Sequence, residues 1–424
     1  MGWHTGSHPS MALERRDRRM YPFQGHFSAR QRQEVCVATQ LDLRKVPTID
    51  VHCFPYVDMP MSRDDTDKMF ALGGIIVGSV DTAKHQAAVR HLAENTVTFR
   101  AFVKEWARFL DCAQNIEAVI EAREARRKTD FTGYVRAMCQ EVGLKTIIAD
   151  NGTKTMEQVD EFGKRFPGAY KKTFRLETMV RDLLKTEKLF SSLVAKFDEG
   201  MERAVKVHGC VSFKTVIAYR TGLDIQKVSE AEAERDFAAR NDDVRWFGPH
   251  AKKLRDFLMR RALIKSIGLK VPILIHTGLG DTDIVAAKCN AALLTDILKD
   301  EEVLPAKVVL IHGGFPYTLE AGWLANVLPN VYVELSCGLV PYMEPAMSAE
   351  RYGHLLQWVP LPKLIFGSDA GDWPEFHWYY PLYAKRSMGK ALGTLVDAGI
   401  FTQDQAMKEA ENIFHNNAKK LFGL

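Results

Sequence analysis

Eight short runs of β-branched and apolar residues recur from about residue 41 onward, separated by long stretches of helical spacing. This is the sequence form of repeated βα units: a strand covered on both faces needs a continuous apolar run, and its covering helix needs an apolar stripe. The runs are PTIDVHCF (47–54), LKTIIAD (144–150), KKTFRLE (171–177), CVSFKTVI (210–217), VPILIHTG (271–278), KVVLIHGG (307–314), NVYVELSC (330–337) and KLIFGSDA (363–370). Eight such strands close a parallel barrel. Segments 284–299 and 318–328 have apolar residues at helical spacing and are expected to pack outside it as helices. The expected fold class is therefore α/β, a (β/α)8 TIM-like barrel.

Two intervals break the period. About ninety residues separate the first run from the second, and over thirty separate the third from the fourth. Both are rich in helical pattern, so helical insertions are expected after strands 1 and 3, the first at about 60–140. Residues 1–40 read as a flexible tail and 41–424 as the barrel.

The composition narrows the function classes. A chain of 424 residues that is 46% hydrophobic has material for a large core. Its formal net charge is only +4, with no basic block interleaved with aromatics, so a small-molecule substrate is expected and a nucleic-acid partner is not. No apolar run approaches the roughly 18 to 20 residues of a membrane span, and the first twenty residues lack the apolar centre of a signal peptide. The cluster Arg15, Arg16, Arg18 and Arg19 is interrupted by Asp17 and preceded by Glu14, unlike an acid-poor transit peptide. Seven scattered cysteines with no C-x-x-C spacing fit free thiols in a reducing compartment, and a cytoplasmic location is expected. Helical insertions on barrels often build dimer contacts, so a homodimer is expected.

In a barrel of this kind the chemistry gathers at the C-terminal ends of the strands. Reading those ends yields His52, Lys214, His276, His312, Glu334 and Asp369. Most lie in apolar segments, where a charge is costly unless paired or bound to metal. Period-2 alternation would place Asp50, His52 and Phe54 on one face and Cys53 on the other, which argues against Cys53 as a nucleophile.

The order DVH, FKTVIAYRTGL, ILIHTGLGD, VLIHGGFPYTLEA, VYVELS and LIFGSDA resembles the amidohydrolase superfamily, in particular the amidohydrolase-related branch that includes nodulin-type domains fused to glutamine synthetases. The similarity runs from about residue 46 to the closing NIFHNNAKKLFGL; uronate isomerases are a less similar branch. The resemblance implies one or two divalent metals held by a His-x-His pair on strand 1, a Lys or Glu on strand 4, a His on each of strands 5 and 6, and an Asp on strand 8. By position these are His52, Lys214, His276, His312 and Asp369. Zinc is the metal expected, because imidazole and carboxylate donors suit it and it brings bound water to a pKa of about 7.

Phe54 departs from the pattern, standing where the second His of the pair belongs. Three readings stay open. His276, His312 and a carbamylated Lys214, completed by Asp369 or water, would hold a metal without the lost ligand. Asp50 and His52 would form an acid-x-His pair, as in decarboxylase and hydratase relatives. Or the site is metal-free, catalytic or not, and Phe54 fills vacated space.

Each residue also has a plainer role open to it. Asp50 could be a capping acid, His52 a hydrogen-bonded core histidine, Lys214 a lysine paired with Glu177 or another acid, and Asp369 a helix N-cap. His276 and His312 gain weight by standing at the same position on consecutive strands. Arg220 could take a substrate carboxylate with its planar fork or make a structural ion pair. Tyr317, with Trp373, His377 and Trp378 of the aromatic loop 371–382, would shape a substrate pocket or pack on helices. Glu334 reads as structural. The expected activity is a metal-dependent hydrolase acting on a small carboxylate, amide or ester, with Asp369 and His312 catalytic. The alternatives are a lyase of the same superfamily and a non-catalytic barrel.

Overall fold

In the computed structural model, residues 38–70, 91–239, 251–280, 284–336 and 345–424 are described. The expected tail through residue 37, together with Cys36 and Cys337, lies outside the described residues, as does part of the 60–140 insertion.

The eight runs form eight strands: β1 Thr48–Cys53, β2 Leu144–Asp150, β3 Ala169–Arg175, β4 Cys210–Thr215, β5 Ile273–His276, β6 Val308–Ile311, β7 Val331–Glu334 and β8 Leu364–Ile365. They lie side by side in chain order, each parallel to the next. The ring is completed where the segment after β8 meets β1: Val51 N donates to Phe366 O at 3.1 Å, Asp369 N to His52 O at 2.7 Å and Phe54 N to Ala370 O at 2.7 Å. Within it, Ile49, Val51, Ile148, Leu274, Val309, Ile311 and Ile365 pack with Ala418, Leu421 and Phe422 of the last helix, Asn417–Phe422.

Several strands end earlier than the apolar runs do. Residues His312–Gly314 form a single 3-10 turn in which His312, Gly313 and Gly314 all have positive φ, so β6 stops where its polar end bends over the barrel.

The expected helix at 318–328 is present as Thr318–Val327. The one expected at 284–299 is not continuous. It consists of two 3-10 turns, Ala286–Lys288 and Ala291–Leu294, and a short helix, Thr295–Lys299. The cause lies in the backbone partners: Lys288 O and Cys289 O accept from Leu223 N at 2.8 Å and Gly278 N at 2.7 Å, outside any helical ladder.

The insertion after β1 contains the helices Arg63–Phe70, Val97–Leu110 and Ile116–Glu141, and two helices, Leu176–Thr186 and Phe190–Lys206, fill the interval between β3 and β4. Residues 371–382 are not the loop expected from their aromatic content, because Pro374 opens a long helix, Pro374–Asp397. Proline is favoured at a first helical position, where its fixed φ suits the helix and its missing N–H has no intrahelical partner to lose. The aromatic start of this helix is buried against the insertion in a cluster with Phe70, Phe102, Trp106 and Tyr134. Fully buried Arg123 donates to Glu375 at 3.0 Å, as does Tyr134 Oη, while Trp378 Nε1 donates to Glu141 at 2.7 Å.

Lys385, on the same helix, is fully buried and donates to Val46 O at 2.5 Å, Val142 O at 2.6 Å and Arg44 O at 3.2 Å, the carbonyls just before β1 and β2. Five described cysteines are free, and four of them are buried. Among the described residues, no helix is long and apolar enough to cross a membrane.

Candidate metal and catalytic centre

The five residues singled out at strands 1, 4, 5, 6 and 8 meet at one end of the barrel. His52 Nε2 lies 3.1 Å from Asp369 Oδ1 and makes a close contact with Lys214 Nζ. His312 Nε2 is 2.9 Å from His276 Nδ1, and the rings of His52 and His312 are 5.3 Å apart. His52, Lys214 and Glu334 have side chains at most 3% exposed, whereas Asp369 is 23% exposed, which makes it the acid nearest to solvent. His312 and Asp369 both have left-handed backbone, with φ of 68° and 60°. Each such residue costs on the order of 1 kcal/mol or more, so surrounding contacts hold both in place against local preference.

Glu334 and Ser336, at the end of β7, orient the histidines. Glu334 Oε2 accepts from His312 N at 3.1 Å and from Ser336 Oγ at 2.6 Å, and lies 3.7 Å from His52 Nδ1. Because the single proton of Ser336 Oγ goes to Glu334, that oxygen accepts from His312 Nδ1 at 3.0 Å. His312 Nε2 is then the acceptor for His276 Nδ1–H, which leaves the lone pair on His276 Nε2. That nitrogen is buried and has no hydrogen-bond partner. Burial, reinforced by the Lys214 charge, holds His52 and His276 well below the ordinary imidazole range; burial does the same for His312, with His276 and Lys214 adding to it. Neutral imidazoles with fixed tautomers are what a metal ion requires.

Asp50 is placed differently from the alternation expectation. The register of β1 against β2 shifts between Asp50 and Cys53, and such a bulge re-aims side chains. The Asp50 carboxylate accepts from His52 N at 3.1 Å, Ser368 N at 2.9 Å and Ser368 Oγ at 2.5 Å. It also stands with Cys53 and His377, their ligand-type atoms mutually within 4.8 Å. Asp50 therefore fastens the seam between β1 and the segment after β8 instead of pairing with His52, and burial pushes its carboxyl up to about 7.

Phe54 remains at the site, its ring centroid 6.0 Å from that of His52. Lys214 Nζ lies 5.0 Å and Arg175 Cζ 5.6 Å from the Phe54 centroid. Lys214 is not paired with Glu177, which accepts from Thr215 Oγ1 instead. Its acid is Asp150, at 3.5 Å, and Asp150 Oδ2 also accepts from Arg175 Nε at 3.0 Å and from Arg175 Nη2. Burial would raise the Asp150 carboxyl, but Arg175 and Lys214 outweigh it and hold it low; burial and Arg175 lower Lys214. Asp150 and Arg175 are the residues that sequence reading passed over, although they end β2 and β3 as the chosen residues end theirs.

The expected substrate residues lie around this centre. Arg220 is buried, with Nη1 3.5 Å from Tyr219 O, and the Tyr219 ring packs on His276 at 4.6 Å. Tyr317 is half-buried just before the Thr318–Val327 helix, its N donating to Gly314 O at 2.7 Å. Trp373 is buried under the Arg123 guanidinium, 5.6 Å from its ring. His377 is buried against Tyr56, with Nε2 3.3 Å from Gly371 O. Both lie amid buried aromatic packing at the start of the Pro374–Asp397 helix.

Ligand-type atoms of His52, His312 and Glu334 lie mutually within 4.8 Å, Asp369 Oδ1 is 3.1 Å from His52 Nε2, and His276 borders the group through His312, so the donors present fit a divalent cation. Lys214 would add a further donor once deprotonated.

The sequence and the fold are similar to those of several known proteins. A family model described as amidohydrolase matches residues 230–424. Over 361 residues, 78% of the chain, the sequence is 28% identical to protein FluG of Emericella nidulans, and spans 41% of that relative's length. The fold is similar to that of a proposed metal-dependent hydrolase from Lactobacillus casei, with a TM-score of 0.74, 24% identity, and coverage of 91% of this chain and 98% of the other. Uronate isomerases from Thermotoga maritima (TM-score 0.63, 15% identity, 90% and 95% coverage) and Bacillus halodurans (0.64, 13%, 90% and 94%) share the fold at lower identity.

Proposed function

For this chain, whose residues 230–424 match the amidohydrolase family model, we propose a metal-dependent hydrolase of that superfamily acting on a small carboxylate, amide or ester. The observation that carries the reading is the meeting of His52 Nε2, Lys214 Nζ and Asp369 Oδ1 beside the His276–His312 pair. His52 and His312, with His276 and Asp369 beside them, would hold a divalent cation, with zinc the metal best matched to these donors. When bound, such an ion polarises a carbonyl and lowers the pKa of water.

The protein's own groups supply the rest. Asp369 is placed to accept a proton from the attacking water, being the carboxylate most open to solvent. His312, held by Ser336 and Glu334, keeps the His276 lone pair directed away from itself. The Lys214–Asp150–Arg175 network excludes water from one side. Asp50, which a lyase of the acid-x-His type would need at the centre, is occupied at the Ser368 seam, and this favours hydrolysis.

The test is elemental analysis of protein purified without chelators, followed by a panel of small amides, esters and lactones. Near-stoichiometric metal and turnover of at least one substrate are expected. Asp369→Asn should then lose on the order of 10²-fold or more of the rate at an unchanged melting temperature. An unaffected rate would remove Asp369 from the mechanism, and a metal-free wild type that tolerates His276→Ala would point to a non-catalytic barrel.

A further inference from the structure

We infer that Arg175, stacked over Phe54, is the anion-binding arm of the site, so that the substrate carries a carboxylate beside its scissile bond. This rests on the hydrolase reading and narrows its substrate class.

The Arg175 side chain is 11% exposed and that of its partner Asp150 only 1%, so the arginine is the more accessible member of the pair. Asp150 Oδ2 takes Nε and Nη2, which fixes the guanidinium plane and leaves Nη1 as the nitrogen that Asp150 does not use. Phe54 supports that plane from beneath, with Cζ 5.6 Å from its ring centroid. The backbone of Arg175 is held as well, its N donating to Asn151 Oδ1 at 2.7 Å. A guanidinium needs none of this to make a salt bridge. Orientation by an acid, a ring and a backbone clamp is instead what a planar fork requires to meet a carboxylate without further loss of freedom.

Lys214 Nζ stands 5.0 Å from the same ring, and Asp150 faces both cations, with Asp369 also acting on each and Glu177 on Arg175. The departure from the His-x-His pattern thus has a positive role: an imidazole at position 54 would offer a ligand, whereas phenylalanine offers an apolar face that accepts a cation.

The test is isothermal titration of the full-length protein, as purified, with carboxylates of two to six carbons from acetate to adipate, each set against its amide. At least one acid should bind saturably and its amide at least tenfold more weakly. Arg175→Met should weaken the acid at least tenfold and leave the amide unchanged, with Arg175→Lys intermediate. If loss of the Asp150 partner unfolds Arg175→Met, Phe54→Leu keeps the ion pair and should still weaken the acid several-fold. Metal content is measured in parallel. Acid binding lost in variants that retain wild-type metal supports the arm, and selective acid binding by a protein without metal supports it while overturning the hydrolase reading. Absence of binding by every acid, equal binding of acid and amide, or wild-type affinity in both Arg175→Lys and Phe54→Leu would overturn the inference.

Discussion

Gly367 and Glu334 approach so closely that a Cβ on the glycine would lie 2.5 Å from Glu334 Oε1 and 2.9 Å from His52 Cβ. The strand-8 end thus packs directly on the acid that orders His312. Gly367→Ala must displace Glu334 or the β8 end, and a cost of about 1–3 kcal/mol is expected in urea unfolding, as for other overpacked interiors. Metal content and turnover should fall with it. A variant as stable and active as wild type would show that the two elements are less tightly joined.

Ser336 connects Glu334 with His312 Nδ1. Ser336→Ala is expected to leave the fold in place at a cost of about 1 kcal/mol and to lower turnover or metal affinity by about tenfold, the range seen when a group supporting a metal ligand is removed. Steady-state kinetics alongside metal titration would detect it.

Phe54→His restores an imidazole two residues after His52. Metal retention against a competing chelator should tighten by about tenfold or more, equivalent to at least 1.4 kcal/mol from one further ligand. Unchanged retention would mean that the ring at position 54 does not face the metal position.

Lys385 allows a test of pH dependence remote from the site. Burial lowers its pKa to about 7, well below the ordinary lysine range, with Lys45 and Lys145 acting in the same sense and Asp42 against them. Between pH 7 and 10 the unfolded chain holds this proton and the folded chain releases it, keeping two N–H donors for the three carbonyls, so this group makes stability rise with pH in that window and contributes least below it. The wild type should therefore gain on Lys385→Met between pH 7 and 9.5 in urea unfolding. At every pH the variant should be less stable, by about 2–5 kcal/mol, because the carbonyls of Arg44, Val46 and Val142 lose their donor.

Strand order and number were readable because each strand is a short β-branched run bounded by helical pattern, and the βα alternation allows few other arrangements. The strand-end rule picked out His52, Lys214, His276, His312 and Asp369, which the structure brings together at one end of the barrel. What escaped depends on details that periodicity does not encode. A bulge after Asp50 turned that acid to Ser368, backbone bonds to Leu223 and Gly278 broke the segment 284–299 into turns, and Pro374 began a helix in what composition suggested was a loop. Asp150 and Arg175 were within reach of the rule, but the family pattern has no place for a pair on strands 2 and 3.

The Asp50–Ser368 seam joins residues 318 apart in sequence. Until the eighth strand has docked beside the first, His52 lacks its neighbouring carboxylate, whatever else has already formed. Ring closure and the assembly of the His52–Asp369 pair are thus one event. On the hydrolase reading, a partly assembled barrel, whether newly synthesised or locally opened, would lack turnover, and activity would mark that the circle is complete.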